Sequence, residues 1–438
     1  MATRVTVIGA GVVGLTSAWW LLQAGFRVRL LERAAEPGEG ASYANGGQLS
    51  YHYVSPLADA GVPLKALRWL MQRDGPLRFH PQADPQQWRW LLQFLRHCNS
   101  TDNARSSAIL LELAQLSRQS LASLEPQLSL HSIGWRQPGK LLLYRDHKQF
   151  AAAVAADANR FDAPVPATAA ISASAACAIL PEPDARRQYL SPDQALALEP
   201  ALATLHPSLA GAIFDPGEAV ADCHAFCLAL LGQIRAHPLF DGMLQTQALG
   251  LRKAAGQALT LETTTGTLEA DHFVLAAGIH SRALAASAGL ALPLYPLKGY
   301  SLSAPVGPDH RAPSISVTDV ERKVLYARIG DQLRVAAMVD LAGMDSRINP
   351  SRLASLRRLV HAAMPDAADY DNAIPWAGLR PATPSGLPII GATGHPGLWL
   401  NLGHGALGFT LACGSAHLLA DLMLGRPASP ALATLAWR

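Results

Sequence analysis

The sequence predicts an α/β architecture joined to a second, mixed-sheet α+β domain, and three observations carry that expectation. Residues 5–32 read as a compact β-α-β unit, Phe273-Val274-Leu275-Ala276-Ala277-Gly278 reads as a buried strand ending in glycine, and residues 398–425 read as a strand, a tight turn and a long apolar helix. At about 150 residues per domain, the 438 residues leave room for two or three domains, and an apolar share of 50% supplies ample core.

Each element has a local reason. Val5, Val7 and Ile8 form a short β-branched strand, which Gly9-Ala10-Gly11-Val12-Val13-Gly14 turns into an apolar helix closed by Gly25. A second strand over residues 28–31 ends on Glu32, and a loop rich in Gly, Ser and Asn covers residues 37–50. Residues 69–124 are helical in pattern, with Trp88, Trp90, Leu91, Leu92, Phe94 and Leu95 expected in the core. Strand character returns over residues 139–144, and an Ala-rich stretch over 151–178 holds a helix and a weakly patterned connection. A helix over 222–234, a hairpin over 257–268 and a strand-rich block over 294–339 follow. Residues 398–402 form a buried strand, Gly403-His404-Gly405 its turn, and the helix over 407–424 stops at Gly425. The expected division assigns 1–55, 201–286 and 380–438 to a ligand-binding α/β domain and 56–200 and 287–379 to a substrate domain.

Composition excludes several classes. Lys plus Arg number 36 against 33 Asp plus Glu, without a basic block, so a nucleic-acid partner is not expected. Five cysteines form neither a disulfide framework nor a C-x-x-C pair, since Cys223 and Cys227 are four apart. They read as buried thiols in a reducing, cytoplasmic setting, with no metal site. Residues 5–22 are uncharged, yet Gly9, Gly11 and Gly14 interrupt them and no basic n-region or A-x-A-like cleavage site frames them. His417 and Asp421 interrupt the apolar run over 406–424, which reads as a buried helix. This composition is compatible with a peripheral contact on the inner face of the cell membrane.

The G-x-G-x-x-G motif follows a strand, opens a helix and precedes an acid, Glu32, by 18 residues counted from Gly14. Gly9 permits the tight turn, Gly11 lets a pyrophosphate approach the backbone and Gly14 allows close helix-strand packing. Free N–H groups at the helix start face the phosphates, Glu32 accepts the ribose hydroxyls, and Ile8, Val12, Val13 and Arg33 flank the cradle. A carboxylate at position 32 repels a 2′-phosphate, which disfavours NADP. Small residues also stand at Ser42, at Asn45-Gly46-Gly47-Gln48, at Ala277-Gly278, and at Gly403-His404-Gly405 with Gly408 and Thr410 beyond. An extended ligand touched by the start, middle and end of the chain suits FAD. A helix starting near Ala406 would place its positive end on the flavin pyrimidine and favour the reduced anion.

Several segments together resemble a known family: Asn45-Gly46-Gly47-Gln48, Pro63-Leu64-Lys65-Ala66-Leu67, Tyr295-Pro296-Leu297-Lys298-Gly299-Tyr300-Ser301, Trp376-Ala377-Gly378-Leu379-Arg380-Pro381, and Leu402-Gly403-His404-Gly405-Ala406-Leu407-Gly408 with Cys413-Gly414-Ser415. In order from Val5 to about Gly425, and weakest over 151–201, they look like the FAD-dependent D-amino-acid dehydrogenases of small-subunit type. The resemblance implies the glutathione-reductase-like FAD-binding fold of the D-amino-acid oxidase superfamily. It implies oxidative deamination of D-amino acids to 2-oxo acids and ammonia, by hydride transfer from the α-carbon to flavin N5, with electrons passed to a respiratory quinone or carrier. FAD should be noncovalent, because no cysteine lies between Arg380 and Gly386, where sarcosine-oxidase relatives attach flavin.

Arg380 matches the superfamily arginine that holds the substrate carboxylate, a task suited to a rigid guanidinium fork. Tyr53 is carried over as a pocket residue, and Tyr326 is a weaker candidate from its strand. Tyr51-His52 stand where relatives carry Pro-Gly and Arg322 where they carry tyrosine, so His52 is a candidate substrate contact and a cyclic substrate such as D-proline or a D-hydroxyproline is an alternative. An oxygen-using glycine- or proline-type amine oxidase is a second alternative. A non-catalytic FAD-binding subunit of a hetero-oligomeric dehydrogenase is the alternative from another class.

Overall fold

A computed structural model describes residues 2–161, 187–253 and 259–437. The β-α-β unit forms as expected: strand Arg4–Ile8, helix Val12–Gln23 and strand Arg27–Glu32, with Val7 paired in parallel to both Leu30 and Val274. These strands lie inside a six-stranded sheet in the order Ile389–Ala392, Leu398–Leu402, His272–Leu275, Arg4–Ile8, Arg27–Glu32, Phe240–Gln245. All its pairings are parallel except that of the first two strands. Parallel strands are covered on both faces. One face carries the helices Val12–Gln23, Cys223–Ala236 and Gly408–Met423, packed through Leu15, Leu22, Phe226, Leu230, Leu411 and Leu419. The other carries a small antiparallel sheet and the helix Ser281–Ser287, packed through Leu251, Leu261 and Leu284 against Phe273 and Leu275. The consequence for function is geometric: Gly9, Glu32, Ala276 and Gly403 all follow or end strands at the same edge of the sheet, where ligands of open α/β sheets bind.

The segment Gly405–Met423 is long and apolar enough to cross a membrane. Here it is a core helix. Its Gly414 lies so close to the helix Ser100–Leu124 that a Cβ there would come within 2.6 Å of the Ser117 nitrogen, and Gly425, at φ +74°, ends the run.

A nine-stranded sheet forms the second layer. Eight strands run in the order Ile374–Ala382, Tyr295–Pro305, Gln332–Leu341, Val324–Ile329, Ser316–Asp319, Lys140–Tyr144, Gly211–Asp215, Gln188–Leu190, and Leu77–Phe79 adds to Gln332–Leu341. Strand Gly211–Asp215, from the stretch 201–286, belongs to this sheet, and Ile374–Ala382 crosses residue 380, so sheet membership does not follow those two expected limits. One face packs on the helix Pro350–Ala363 through Leu356 and Val360. The other looks toward the glycine-rich edge of the first sheet.

The helix Pro85–His97 corrects one core expectation. Trp90 and Phe94 are buried and stacked at 5.2 Å, and Trp90 Nε1 donates to the Ala382 carbonyl at 2.9 Å, whereas Trp88, Leu92 and Leu95 are exposed. A helix presents one stripe to its neighbour, and six apolar residues in eight positions exceed it. Cys98, Cys223, Cys227 and Cys413 are free thiols, and Cys98 alone of these is half-buried rather than buried. Residues 151–161 of the Ala-rich stretch form the greater part of the helix His147–Phe161, as expected, and the remainder of the stretch lies outside the described residues, as does Cys177.

Candidate active site between the two sheets

A cavity of about 2640 Å3 runs between the glycine-rich edge and the second sheet. Pockets for single small ligands occupy about 300–1,000 Å3, so this space accommodates an extended cofactor together with a substrate.

The first wall is the motif turn. Gly9 sits at φ +103°, and a Cβ there would come within 2.7 Å of Ala277 Cα and 2.8 Å of the Ala276 carbonyl oxygen. A Cβ at Gly14 would overlap the Gly9 carbonyl oxygen, so the helix rests directly on the turn. Gly11 differs: its missing side chain would meet only Ser42 Oγ, at 3.4 Å, and its face opens into the cavity. Ser42 Oγ in turn accepts the Val12 amide at 3.0 Å. Glu32 holds the turn from the next strand, accepting the Ala10 amide at 2.7 Å and the Arg33 and Ala34 amides at 2.9 and 3.0 Å. Ile8, Val13 and Arg33 line the same wall.

The second wall is the loop over residues 44–48. Asn45 Oδ1 accepts the Gly47 amide at 3.0 Å, and Gly47 takes φ +64°. Ser301 Oγ donates to the Ala44 carbonyl at 2.6 Å, Arg334 donates to the Asn45 carbonyl at 2.9 Å and the Gln48 side-chain amide donates to Ser316 Oγ. These bonds tie a loop that leaves the first sheet to three strands of the second, and Gly46 and Gly47 leave no side chain in the space between. The third wall comprises Gly278, Gly403, His404, Gly405, Gly408 and Thr410. Gly403 and Gly405 take φ +84° and +55°. Burial drives the His404 imidazole down to a pKa of about 3, so it is neutral, and its Nε2 is a buried polar atom without a partner.

Arg380 stands across the cavity on strand Ile374–Ala382, opposite Leu297. Its guanidinium lies over Gly299, and the Trp376 ring lies over Gly378, the residue paired with Gly299. Two paired glycines thus open a slot with an aromatic ring at one end and a cation at the other. Arg380 Nη1 donates to the Met338 carbonyl at 3.3 Å, from a residue at φ +67°, and no carboxylate among the described residues reaches Arg380. Burial lowers its pKa without depriving a guanidinium of its charge. Tyr53 also lines the cavity, and burial raises the pKa of its phenol.

Two expected site residues lie elsewhere. His52 points away from the cavity, with Nδ1 3.0 Å from Asp215 Oδ2, while Tyr53 beside it faces in. The Glu218 carboxylate accepts the amides of Tyr51, His52 and Tyr53 at 2.9, 2.9 and 3.1 Å and so holds the bend that separates the two side chains. Tyr326 is 1% exposed in the core beneath the second sheet. Strand parity puts Leu325 in the cavity in its place. Arg322 does reach the cavity, at its rim. Sequence reasoning missed Trp376, Ser50 and Lys140, all of which line the space. Lys140 carried a signal, a cation opening the otherwise apolar strand Lys140–Tyr144.

A family model described as FAD dependent oxidoreductase matches residues 4–422. D-amino acid dehydrogenase 2 of Pseudomonas aeruginosa is 47% identical over 429 residues, covering 98% of this chain and 97% of its own. D-amino acid dehydrogenase 2 of Ralstonia nicotianae is 42% identical over 438 residues, with 98% of each chain covered. Among solved structures, glycine oxidase from Geobacillus kaustophilus superposes with a TM-score of 0.74 at 21% identity, over 100% of this chain and 99% of that one. Iminodiacetate oxidase from Chelativorans sp. BNC1 superposes with a TM-score of 0.71 at 21% identity, over 99% and 98%.

Proposed function

This chain belongs to the FAD-dependent oxidoreductase family, and from that premise we propose that it deaminates D-amino acids oxidatively to 2-oxo acids and ammonia, passing the electrons to a respiratory acceptor. The names of the relatives it resembles support the substrate class. The observation that carries the reading is Arg380: a guanidinium that no carboxylate among the described residues reaches, facing the cavity across from the glycine cradle.

The residues present suit noncovalent FAD. The open face of Gly11 and the helix start at Val12 would take the diphosphate, Glu32 the ribose, and the orphaned His404 Nε2 stands beside the Gly405 turn where a further polar atom is wanted. When bound, FAD accepts the α-hydrogen and two electrons of the substrate. The chain's own residues do the rest. Arg380 grips both carboxylate oxygens and so fixes which hydrogen faces the cofactor. Trp376 and Tyr53 border the slot and exclude water. The N-terminus of the helix Gly408–Met423 offers its positive end to negative charge developing nearby. Purified protein should be yellow, acid should release the flavin into the supernatant, and an artificial dye should be reduced with D- but not L-amino acids in a panel that includes the proline and hydroxyproline isomers. Dye-independent oxygen consumption with peroxide release would instead indicate an oxidase.

A peripheral membrane contact is part of the same reading. The helix Val62–Met71 buries none of its residues, exposes Leu64, Leu67 and Met71 at 77, 62 and 82%, and carries Lys65 and Arg68 without an acid. An apolar ridge with basic neighbours suits an anionic lipid surface. The protein should co-sediment with anionic vesicles, and Leu67→Glu with Met71→Glu should abolish that; equal sedimentation of the double variant would refute the contact.

A further inference from the structure

We infer that Lys140 is a flavin-tuning cation: it faces the reduced cofactor, stabilises its negative charge and raises its reduction potential. This rests on the reading that FAD fills the cavity.

Lys140 is 3% exposed and lines the cavity. Its ammonium donates to Ser50 Oγ at 2.8 Å and stands 4.5 Å from the centre of the Tyr53 ring. Both partners are neutral. Of the nearby acids, Asp215 is paired with Arg187 and His52, and Glu218, bonded by three neutral backbone amides, keeps its charge and partly offsets that of Lys140 without touching it. A buried cation whose direct side-chain contacts among the described residues are a hydroxyl and a ring face gains from an anion placed beside it. Consistent with that, burial draws the Lys140 pKa down to about 8, with Asp215 and Glu218 opposing and Arg187 adding to the shift.

The position indicates which anion. The Ser50 amide donates to Thr410 Oγ1 at 3.1 Å, and Thr410 lies in the first turn of the helix Gly408–Met423. Lys140 therefore stands within a chain of two hydrogen bonds from a helix N-terminus that opens into the same cavity, so two sources of positive potential converge there. The carboxylate of the substrate is assigned to Arg380. The remaining negative charge is the one the reaction creates. With FAD bound, hydride loss from a neutral amine would leave an iminium and give the cofactor one negative charge, which passage of both electrons to the acceptor, with release of the transferred hydrogen as a proton, would remove. An anion present in only one half of the cycle is what a buried lysine with no ion pair among the described residues discriminates.

The test compares holoenzymes carrying Lys140→Met, Lys140→Gln and Lys140→Arg by reductive titration against a reference dye. The neutral variants should lower the reduced-to-oxidised ratio at a given potential by tenfold or more, which for a two-electron couple is about 30 mV per tenfold. Lys140→Arg should stay within threefold of the parent protein. An unchanged potential in the neutral variants would overturn the assignment, and so would a change confined to KM for D-amino acids with acidic side chains, which would make Lys140 a substrate contact. Loss of FAD from both neutral variants while Lys140→Arg loads normally would assign the lysine to folding of the loop and also overturn it. If the parent protein itself takes up no flavin, the reading of the cavity fails rather than this one.

Discussion

Replacing Arg380 by leucine is expected to raise KM for D-amino acids by roughly 30-fold to a few thousand-fold. Removing one partner of a buried charge-assisted contact costs about 2 to 5 kcal/mol, and about 1.4 kcal/mol corresponds to tenfold. The mounting of the guanidinium supports the proposed role. Gly299 lets it lie flat on the neighbouring strand, and the Met338 carbonyl holds one nitrogen, which leaves the others to the cavity. Because the contact orients the α-carbon as well as binding it, kcat should fall too. Arg380→Lys keeps the charge and loses the fork, so it should lie between the two. FAD content should be unaffected in both variants. Steady-state kinetics with dye as acceptor decide the matter, and unaltered constants in the leucine variant would remove Arg380 from the site.

Gly14→Ala should be the most damaging single methyl in the molecule. The added Cβ would overlap the Gly9 carbonyl oxygen, a backbone atom, and the backbone fixes the Cβ itself, so neither can rotate aside. The helix Val12–Gln23 would have to lift off the strand Arg4–Ile8, disrupting the glycine turn proposed to hold the diphosphate. Overpacking a close-packed core costs about 1–3 kcal/mol or more, and here the displaced element is the proposed cofactor cradle. Colourless protein with a lowered Tm is expected. Gly11→Ala provides the contrast, since its Cβ meets only Ser42 Oγ and projects into the cavity. It should leave the Tm of flavin-free protein near the parent value while weakening FAD retention. Gly14→Ala protein that is yellow and as stable as the parent would contradict the packing described.

Residues 5–32 were readable because everything that shapes them is local: a strand, a glycine turn, a helix and a strand within one contiguous stretch, with Glu32 returning to bond the Ala10 amide. The strand His272–Leu275 and the C-terminal strand, turn and helix were readable for the same reason, as apolar runs ended by glycine. The faces presented by other segments were not. Tyr326 and Leu325 are equally plausible in the sequence, and a single step of strand parity exchanged them. His52 and Tyr53 were separated by Glu218, 165 residues further on, whose carboxylate holds their backbone. In the helix Pro85–His97, too many apolar residues competed for one face, and the stacking of Trp90 on Phe94 and its tilted contact with Tyr295 show which face won.

The amino-acid sequence by itself determined the class of fold and the glycine turn between the first strand and its helix, because glycine conformations and helix starts are properties of a few adjacent residues. The tertiary structure alone decided what stands opposite that cradle. Lys140 enters the cavity because its strand pairs with Ser316 on one side and Asp215 on the other, and Arg380 finds room because Gly378 and Gly299 fall in register. Such juxtapositions depend on the registry of strands distant in the chain, and hydrogen-bond registry between remote strands is set by the packing of whole sheets rather than by any local pattern.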